Sequence, residues 1–221
     1  MKVESRVSRV EARSPKAAGG GPLLILISAP SGGGKTTLCN QLLAARPDMT
    51  RAITCTTRAP RPGEKDGVDY YFLDPVEFQR RVAAGEFIEH ATVFGRGYGV
   101  LRSELLDRLR RGRDVLLNVD VQGAATIRKQ VRQEPELERA LVTIFLTPPS
   151  LAILAERLKK RASDTPEEIQ KRLGDARKEI AQWNQFDYLL ISSTIPEDLR
   201  RMLAIVEAEK MRTAGAQPPE F

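Results

Sequence analysis

The 221-residue chain has only two cysteines, one histidine and one tryptophan, and this scarcity excludes several kinds of protein. Cys39 and Cys55 are too few for a disulfide framework and are not spaced as a metal signature; a reducing compartment fits them. Cys39 is read as packing. His90 stands without a second histidine or a close cysteine pair, so no metal site is expected there. No apolar run approaches the ~20 residues that span a bilayer, so no membrane partner is expected. The N-terminal stretch has no apolar h-region and is not read as a secretory signal. Its Arg and Ser content is faintly similar to an organelle transit peptide, but Glu4 and Glu11 argue against one.

Charge is equally uninformative about nucleic acid. The net charge is +6, but Lys2, Arg6, Arg9, Arg13 and Lys16 against Glu4 and Glu11 place +3 of it in residues 1–20. That stretch is read as a disordered basic tail over 1–21, with a second disordered tail at 214–221. No nucleic-acid partner is expected. A length of 221 residues suits one domain with insertions, cytoplasmic, as a monomer or homodimer.

What is present begins at residues 23–38, LLILISAPSGGGKTTL. A short apolar run reads as a strand buried on both faces. The glycine loop follows at once, and Leu38, Leu42 and Leu43 then fall on one side of a helix. Strand, glycine loop and helix in that order is the setting of a phosphate-cradling loop, here with Ala29 where the usual pattern starts with Gly. Backbone N–H groups converge on a polyphosphate only where no Cβ intrudes, and the helix N-terminus adds further donors. Lys35 suits the β- and γ-phosphates, and the Thr36 hydroxyl suits magnesium.

Further along, 51–72 begins as a strand around Ile53 and becomes a Pro/Gly/charged loop closing on Tyr70, Tyr71 and Phe72. Asp74-Pro75 caps a helix that Gly85 stops. Residues 87–94 form a strand, 95–99 a turn, and 102–111 a helix. Buried strands at 115–120, 140–146 and 187–192 alternate with helices at 122–132, 150–161, from 165 onward and 196–212. Thr165-Pro166-Glu167-Glu168 is a capping box. Trp183 is read as packing on a helix. The alternation predicts a parallel sheet wrapped by helices, five-stranded if the segment at Ile53 joins it, with the crevice at the strands' carboxyl ends.

Arg58, Arg61 and Tyr70 are donors suited to a second phosphate. On composition alone the loop is a solvated basic surface. Residue order adds more: TTRAPRPGEKDGVDYYF resembles the nucleotide-monophosphate segment of guanylate kinases, T-T-R-x-P-R-x-G-E-x-x-G-x-x-Y. FIEHATVFGRGYG, VLLNVDVQGA and TPPSLAILAERLKKRASDTPEEIQKRL resemble that family's next segments, in its order, and with the phosphate loop they cover about residues 23 to 192.

The resemblance implies an α/β P-loop NTPase three-layer fold with a five-stranded parallel sheet, a small mixed GMP-binding insertion and a helical lid. It implies a domain over 22–213, with its core at 22–50, 100–147 and 173–213, the insertion at 51–99 and the lid at 148–172. The implied activity is magnesium-dependent transfer of a phosphoryl group from ATP to GMP, and to dGMP, in purine nucleotide metabolism. Ala29, Pro30, Ser31, Gly32, Gly33, Gly34, Lys35, Thr36 and Thr37 would bind ATP, with Thr36 on the metal. Arg58, Arg61, Tyr70 and Tyr98 would hold the GMP phosphate. Glu89 would accept from guanine N1–H and N2–H, Thr54 has a hydroxyl in reach of the base, and Asp120 would assist at the guanine amino group or near the metal. Arg157 and Arg161 would close over ATP from the lid and Arg172 would contact the transferring phosphoryl group, making these and Lys35 the catalytic set; apart from the resemblance, His90 is read as a structural or base-shelf neighbour of Glu89.

Three positions depart from the family. Val100 stands where a Ser or Thr hydroxyl reads guanine O6, Asn118 replaces the first Asp of D-I-D, and Ser192-Ser193-Thr194 replaces N-D-D. A non-catalytic guanylate-kinase-like interaction module, another monophosphate kinase and a nucleic-acid-linked NTPase are the competing readings. Lys35, Thr36, Arg58 and Arg172 favour the enzyme, and Glu89 with TTRAPR favours guanine.

Overall fold

The computed structural model describes residues 21–160 and 165–212. The expectations for residues 1–20, for Arg161 and for the tail from 214 fall outside the described residues.

β1 (Leu24–Ser28) is the centre of the molecule. Leu24 and Leu26 enter one core cluster, while Ile25 and Ile27 enter another on the opposite face of the sheet. Each fully buried aliphatic side chain contributes roughly 1.5–3 kcal/mol, so a strand buried throughout and apolar at its first four positions belongs in the middle. After it come α1 (Lys35–Ala45), β2 (Met49–Arg51), β3 (Cys55–Thr56), β4 (Tyr71–Phe72), α2 (Pro75–Ala83), β5 (Phe87–Val93) and β6 (Arg96–Leu101). Then come α3 (Arg102–Arg110), β7 (Asp114–Asn118), α4 (Val121–Gln130), α5 (Pro135–Ala140) and β8 (Leu141–Thr147). α6 (Leu151–Lys160), α7 (Pro166–Ile180), β9 (Tyr188–Ile191) and α8 (Ile195–Lys210) complete the described chain.

The main sheet is five-stranded and parallel, in the order β2-β7-β1-β8-β9. Leu38 and Leu42 of α1 with Met202 and Val206 of α8 cover one face. Leu105 and Leu109 of α3, Ile127 of α4 and Leu137 of α5 cover the other, making the α/β three-layer arrangement. A second, mixed sheet runs β4-β3-β6-β5. Glu104 on α3 ties it to the core by accepting the Ile53 N–H (2.9 Å), the Tyr71 hydroxyl (3.0 Å) and the Arg108 Nε–H (2.6 Å). Among the described residues no helix is long and apolar enough to cross a membrane.

Local signals behave as their chemistry dictates. Asp74 caps α2 through the Val76 and Glu77 N–H groups, and Thr165 and Glu168 form the reciprocal capping box of α7. Cys39 is buried in the core.

Several expectations are corrected. Residues 95–99 are not a turn: the turn is Phe94-Gly95, both at positive φ (49° and 72°), and Arg96 already pairs with Val93. The remaining glycines lie within β6 because the backbone runs against aromatic rings; a Cβ on Gly97 would stand 2.8 Å from Phe78, and one on Gly99 2.8 Å from Phe87. The fifth parallel strand is Met49–Arg51, since the Ile53 N–H is diverted to Glu104. β9 is an edge strand with only Leu190 fully buried; Leu189 and Ile191 face outward. Trp183 lies on a 3₁₀ turn and is 48% exposed, so it is not a buried helical ring. Helix α5 has too few apolar positions to announce itself by periodicity.

Candidate active site

The loop between β1 and α1 is shaped by its glycines. Gly32 and Gly34 sit at φ 85° and 94°, where side chains are strained, and a Cβ on Gly33 would stand 2.9 Å from the Pro30 carbonyl. That carbonyl accepts the Gly33 N–H at 2.8 Å. α1 then begins at Lys35 with no side-chain cap and no acidic residue in its first turn. Its first N–H groups and positive dipole end are left for an anion. Thr36 and Thr37 are exposed there.

The Lys35 ammonium donates to the Val119 carbonyl at 2.9 Å. Burial pulls its pKa below the ordinary lysine value, opposed first by Asp120. From above, α6 and α7 approach the loop. Arg157 Nη1 lies 3.8 Å from the place a Gly34 Cβ would take, and Arg172 Nη1 donates to Ser31 Oγ at 3.3 Å. Glu179, seven residues beyond Arg172, lies near the Ser31 backbone, and burial raises its pKa. Arg161 lies outside the described residues.

Across the crevice, the second sheet gathers Arg58, Tyr70 and Tyr98. The Arg58 guanidinium lies 5.3 Å from the Tyr70 ring centroid and 5.9 Å from that of Phe72. Tyr70 and Tyr98 meet edge to face at 6.5 Å. Glu64 fixes this group: its two oxygens each lie 2.9 Å from Arg58 Nη2, and it accepts the Arg61 N–H at 2.7 Å. The Arg61 side chain is exposed. Thr54 is half-buried, and its carbonyl accepts the Tyr71 N–H at 3.0 Å.

Glu89 projects from β5 towards the start of α4. A Cβ on Gly123 would be 3.7 Å from Glu89 Oε2, so the bare backbone of α4 leaves room beside the carboxyl. Burial, with Asp120 second, lifts the Glu89 pKa to about 7. Asp120 caps α4 by accepting the Gly123 N–H at 2.7 Å. Val100, directly opposite Glu89 in the β5–β6 register, packs into the core. Asn118 ends β7 beside Ile27.

Sequence reasoning singled out neither Glu64 nor Glu179. Glu64 is the E of the matched T-T-R-x-P-R-x-G-E pattern, and Glu179 is i+7 from Arg172 on the same helical face, so a faint signal existed for each.

The chain's relatives identify its family. The sequence pattern of the guanylate kinase family matches residues 22–209. The guanylate kinase of Alcanivorax borkumensis is 45% identical over 191 residues, covering 86% of this chain and 89% of the relative. That of Maricaulis maris is 39% identical over 190 residues, covering 86% and 84%. The crystal structure of guanylate kinase from Anaplasma phagocytophilum superposes with a TM-score of 0.65 at 36% identity, covering 89% of this chain and 90% of that one. With a phosphate loop, arginines above it and a carboxylate beside it, the chain belongs to the guanylate kinase family and is a phosphotransferase of the kinase class.

Proposed function

We propose that the protein transfers the γ-phosphoryl group of ATP to GMP, and to dGMP, with magnesium. The observation that carries this is the position of the β7–α4 junction: the Val119 carbonyl accepts the Lys35 ammonium at 2.9 Å, and Gly123, whose N–H Asp120 accepts at 2.7 Å, adjoins Glu89 Oε2. A triphosphate loop and a base-reading carboxylate therefore share one crevice.

Residues 29–37 would hold the ATP phosphates through N–H groups and Lys35. The loop fits that anion because Gly32 and Gly34 hold positive φ and the first turn of α1 has neither a side-chain cap nor an acidic residue. Magnesium would be held by Thr36 and the phosphates, neutralising charge on the equatorial oxygens; among the described residues no group of three or more His, Cys, Asp or Glu could hold a metal ion alone. Arg58, Tyr70 and Tyr98, with Arg61 swinging in from its exposed position, would bind the GMP phosphate. Glu89 would accept from guanine N1–H and N2–H, a donor pair that adenine lacks, with Thr54 and Asp120 beside it.

Phosphoryl transfer asks for two anions held in line rather than covalent work by the protein. A phosphate oxygen of GMP is itself the nucleophile, so no general base is required. Arg157 and Arg161 would supply positive charge over ATP and Arg172 to the transferring group, and α6 and α7 would close to exclude water. In this reading 22–50, 100–147 and 173–213 form the core, 51–99 the GMP-binding insertion and 148–172 the lid.

An ADP-release assay with GMP, dGMP, AMP, CMP and UMP tests the proposal. Turnover greatest with GMP is expected, and loss of it by orders of magnitude in Arg172→Ala with the fold intact. Greatest turnover with AMP or UMP would overturn the base assignment; no turnover with any of them would mark a binding module.

A further inference from the structure

A buried polar chain runs from α8 to the phosphate loop. Asp198, in the first turn of α8, is 7% exposed. Its Oδ2 accepts the Ser192 hydroxyl at 2.8 Å, and its Oδ1 accepts the Ser193 N–H at 2.8 Å and the Ser193 hydroxyl at 3.5 Å. These donors are neutral. Ser192, itself 6% exposed, accepts from Arg157 Nη2 at 3.3 Å. The other terminal nitrogen of Arg157 lies over Gly34, 3.8 Å from the place its Cβ would take.

A serine hydroxyl rotates, and its oxygen serves a cation only while its proton points elsewhere. Here the proton is committed to a buried carboxylate, so the lone pairs face the guanidinium. A buried carboxylate is costly unless its acceptor capacity is used, and Asp198 uses both oxygens within the 192–194 segment. That is the segment where the sequence departs from the N-D-D pattern of its relatives. The negative charge that orders it comes from outside it, one turn into α8.

We propose that Asp198 is a positioning residue for phosphoryl transfer: through Ser192 it sets the Arg157 guanidinium over the phosphate loop. The proposal rests on the reading of Arg157 as a cation for the ATP phosphates. It predicts an effect on ATP rather than on GMP, because the second sheet takes no part in the Asp198–Ser192–Arg157 chain.

The test is a double-mutant cycle on the full chain, with KM for ATP and for GMP, kcat and thermal unfolding measured for Asp198→Ala, Arg157→Ala and the pair. Asp198→Ala should raise KM for ATP about five- to tenfold and leave KM for GMP within about twofold. In the Arg157→Ala background it should change KM for ATP no further, whereas a role in folding alone would act equally in both backgrounds. Should Asp198→Ala fail to fold, Ser192→Ala breaks the same link and should raise KM for ATP in the same way, again only when Arg157 is present. A strong Arg157→Ala effect beside unchanged ATP kinetics in Asp198→Ala, or in Ser192→Ala where that stands in, overturns the proposal alone. Unchanged ATP kinetics in Arg157→Ala overturns both the cation assignment and the proposal.

Discussion

Arg58 grips Glu64 through a single nitrogen, Nη2, which lies 2.9 Å from both carboxylate oxygens. Glu64 also accepts the Arg61 N–H, so one carboxylate shapes the turn and aims the arginine. A guanidinium already held loses less rotamer freedom when a phosphate arrives. Glu64→Ala is therefore expected to raise KM for GMP by about tenfold with KM for ATP little changed. A lower KM for GMP in that variant would show Glu64 competing with the phosphate instead of preparing its site.

In the proposed role as reader of guanine, Glu89 would give GMP binding a pH dependence whose sign follows from its raised pKa. Its pKa is raised by burial and by Asp120 to about 7. A carboxyl whose pKa is raised on folding contributes stability that is full below the unfolded value and is lost as pH rises through about 7. Guanine donates two hydrogens and so binds the carboxylate form. GMP binding should release close to one proton at pH 6 and close to none at pH 8, with Kd rising by up to about tenfold per pH unit below 7. Calorimetry in buffers of different ionisation enthalpy measures this. Glu89→Gln should raise Tm at pH 8 but not at pH 4; a pH-independent GMP affinity in the wild type would remove Glu89 from the base.

These two carboxylates differ in how far the sequence exposed them. Both lie in family segments, but the resemblance supplied a role for Glu89, whereas Glu64 matched its segment without one and on composition read as one more charge in a solvated loop. The same holds for the fold. Strands buried on both faces, such as β1 and β8, announce themselves by unbroken apolar runs, and the caps at Asp74 and Thr165 act through neighbours three residues away. β9 carries a similar run, yet it ends up at the sheet edge, because strand order is a property of packing that no local window contains. Gly97 and Gly99 read as turn residues and are instead strand residues pressed against Phe78 and Phe87. Glu179 and Asp198 act across contacts with Ser31 and Ser192, which only the folded chain creates.

Val100 is the departure with the most direct consequence. It faces Glu89 across β5 and β6 and is buried among Ile88, Leu105 and Ala52. A hydroxyl there would donate to guanine O6, an acceptor that otherwise costs about 1–3 kcal/mol if left unpaired. Val100→Ser should lower KM for GMP severalfold and lower Tm by a few degrees, since a buried branched side chain is lost. If KM for GMP does not fall, a backbone donor or a water already serves O6.

Lys35 separates catalysis from stability. Its ammonium reaches the Val119 carbonyl at 2.9 Å, just before Asp120, and burial lowers its pKa, with Asp120 opposing. A lysine whose pKa is depressed on folding opposes folding while it is charged, so its removal at neutral pH takes away a cost along with a hydrogen bond. Lys35→Met keeps the length of the apolar stem and should leave Tm within a few degrees of the wild type. The same change removes the charge that would meet the β- and γ-phosphates, and kcat should fall by about 10²–10³ or more. Steady-state kinetics beside thermal unfolding distinguishes the outcomes. A near-wild-type kcat rejects the catalytic role of Lys35, whereas a collapse of Tm would make the bond to Val119 a structural strut between the phosphate loop and the end of β7.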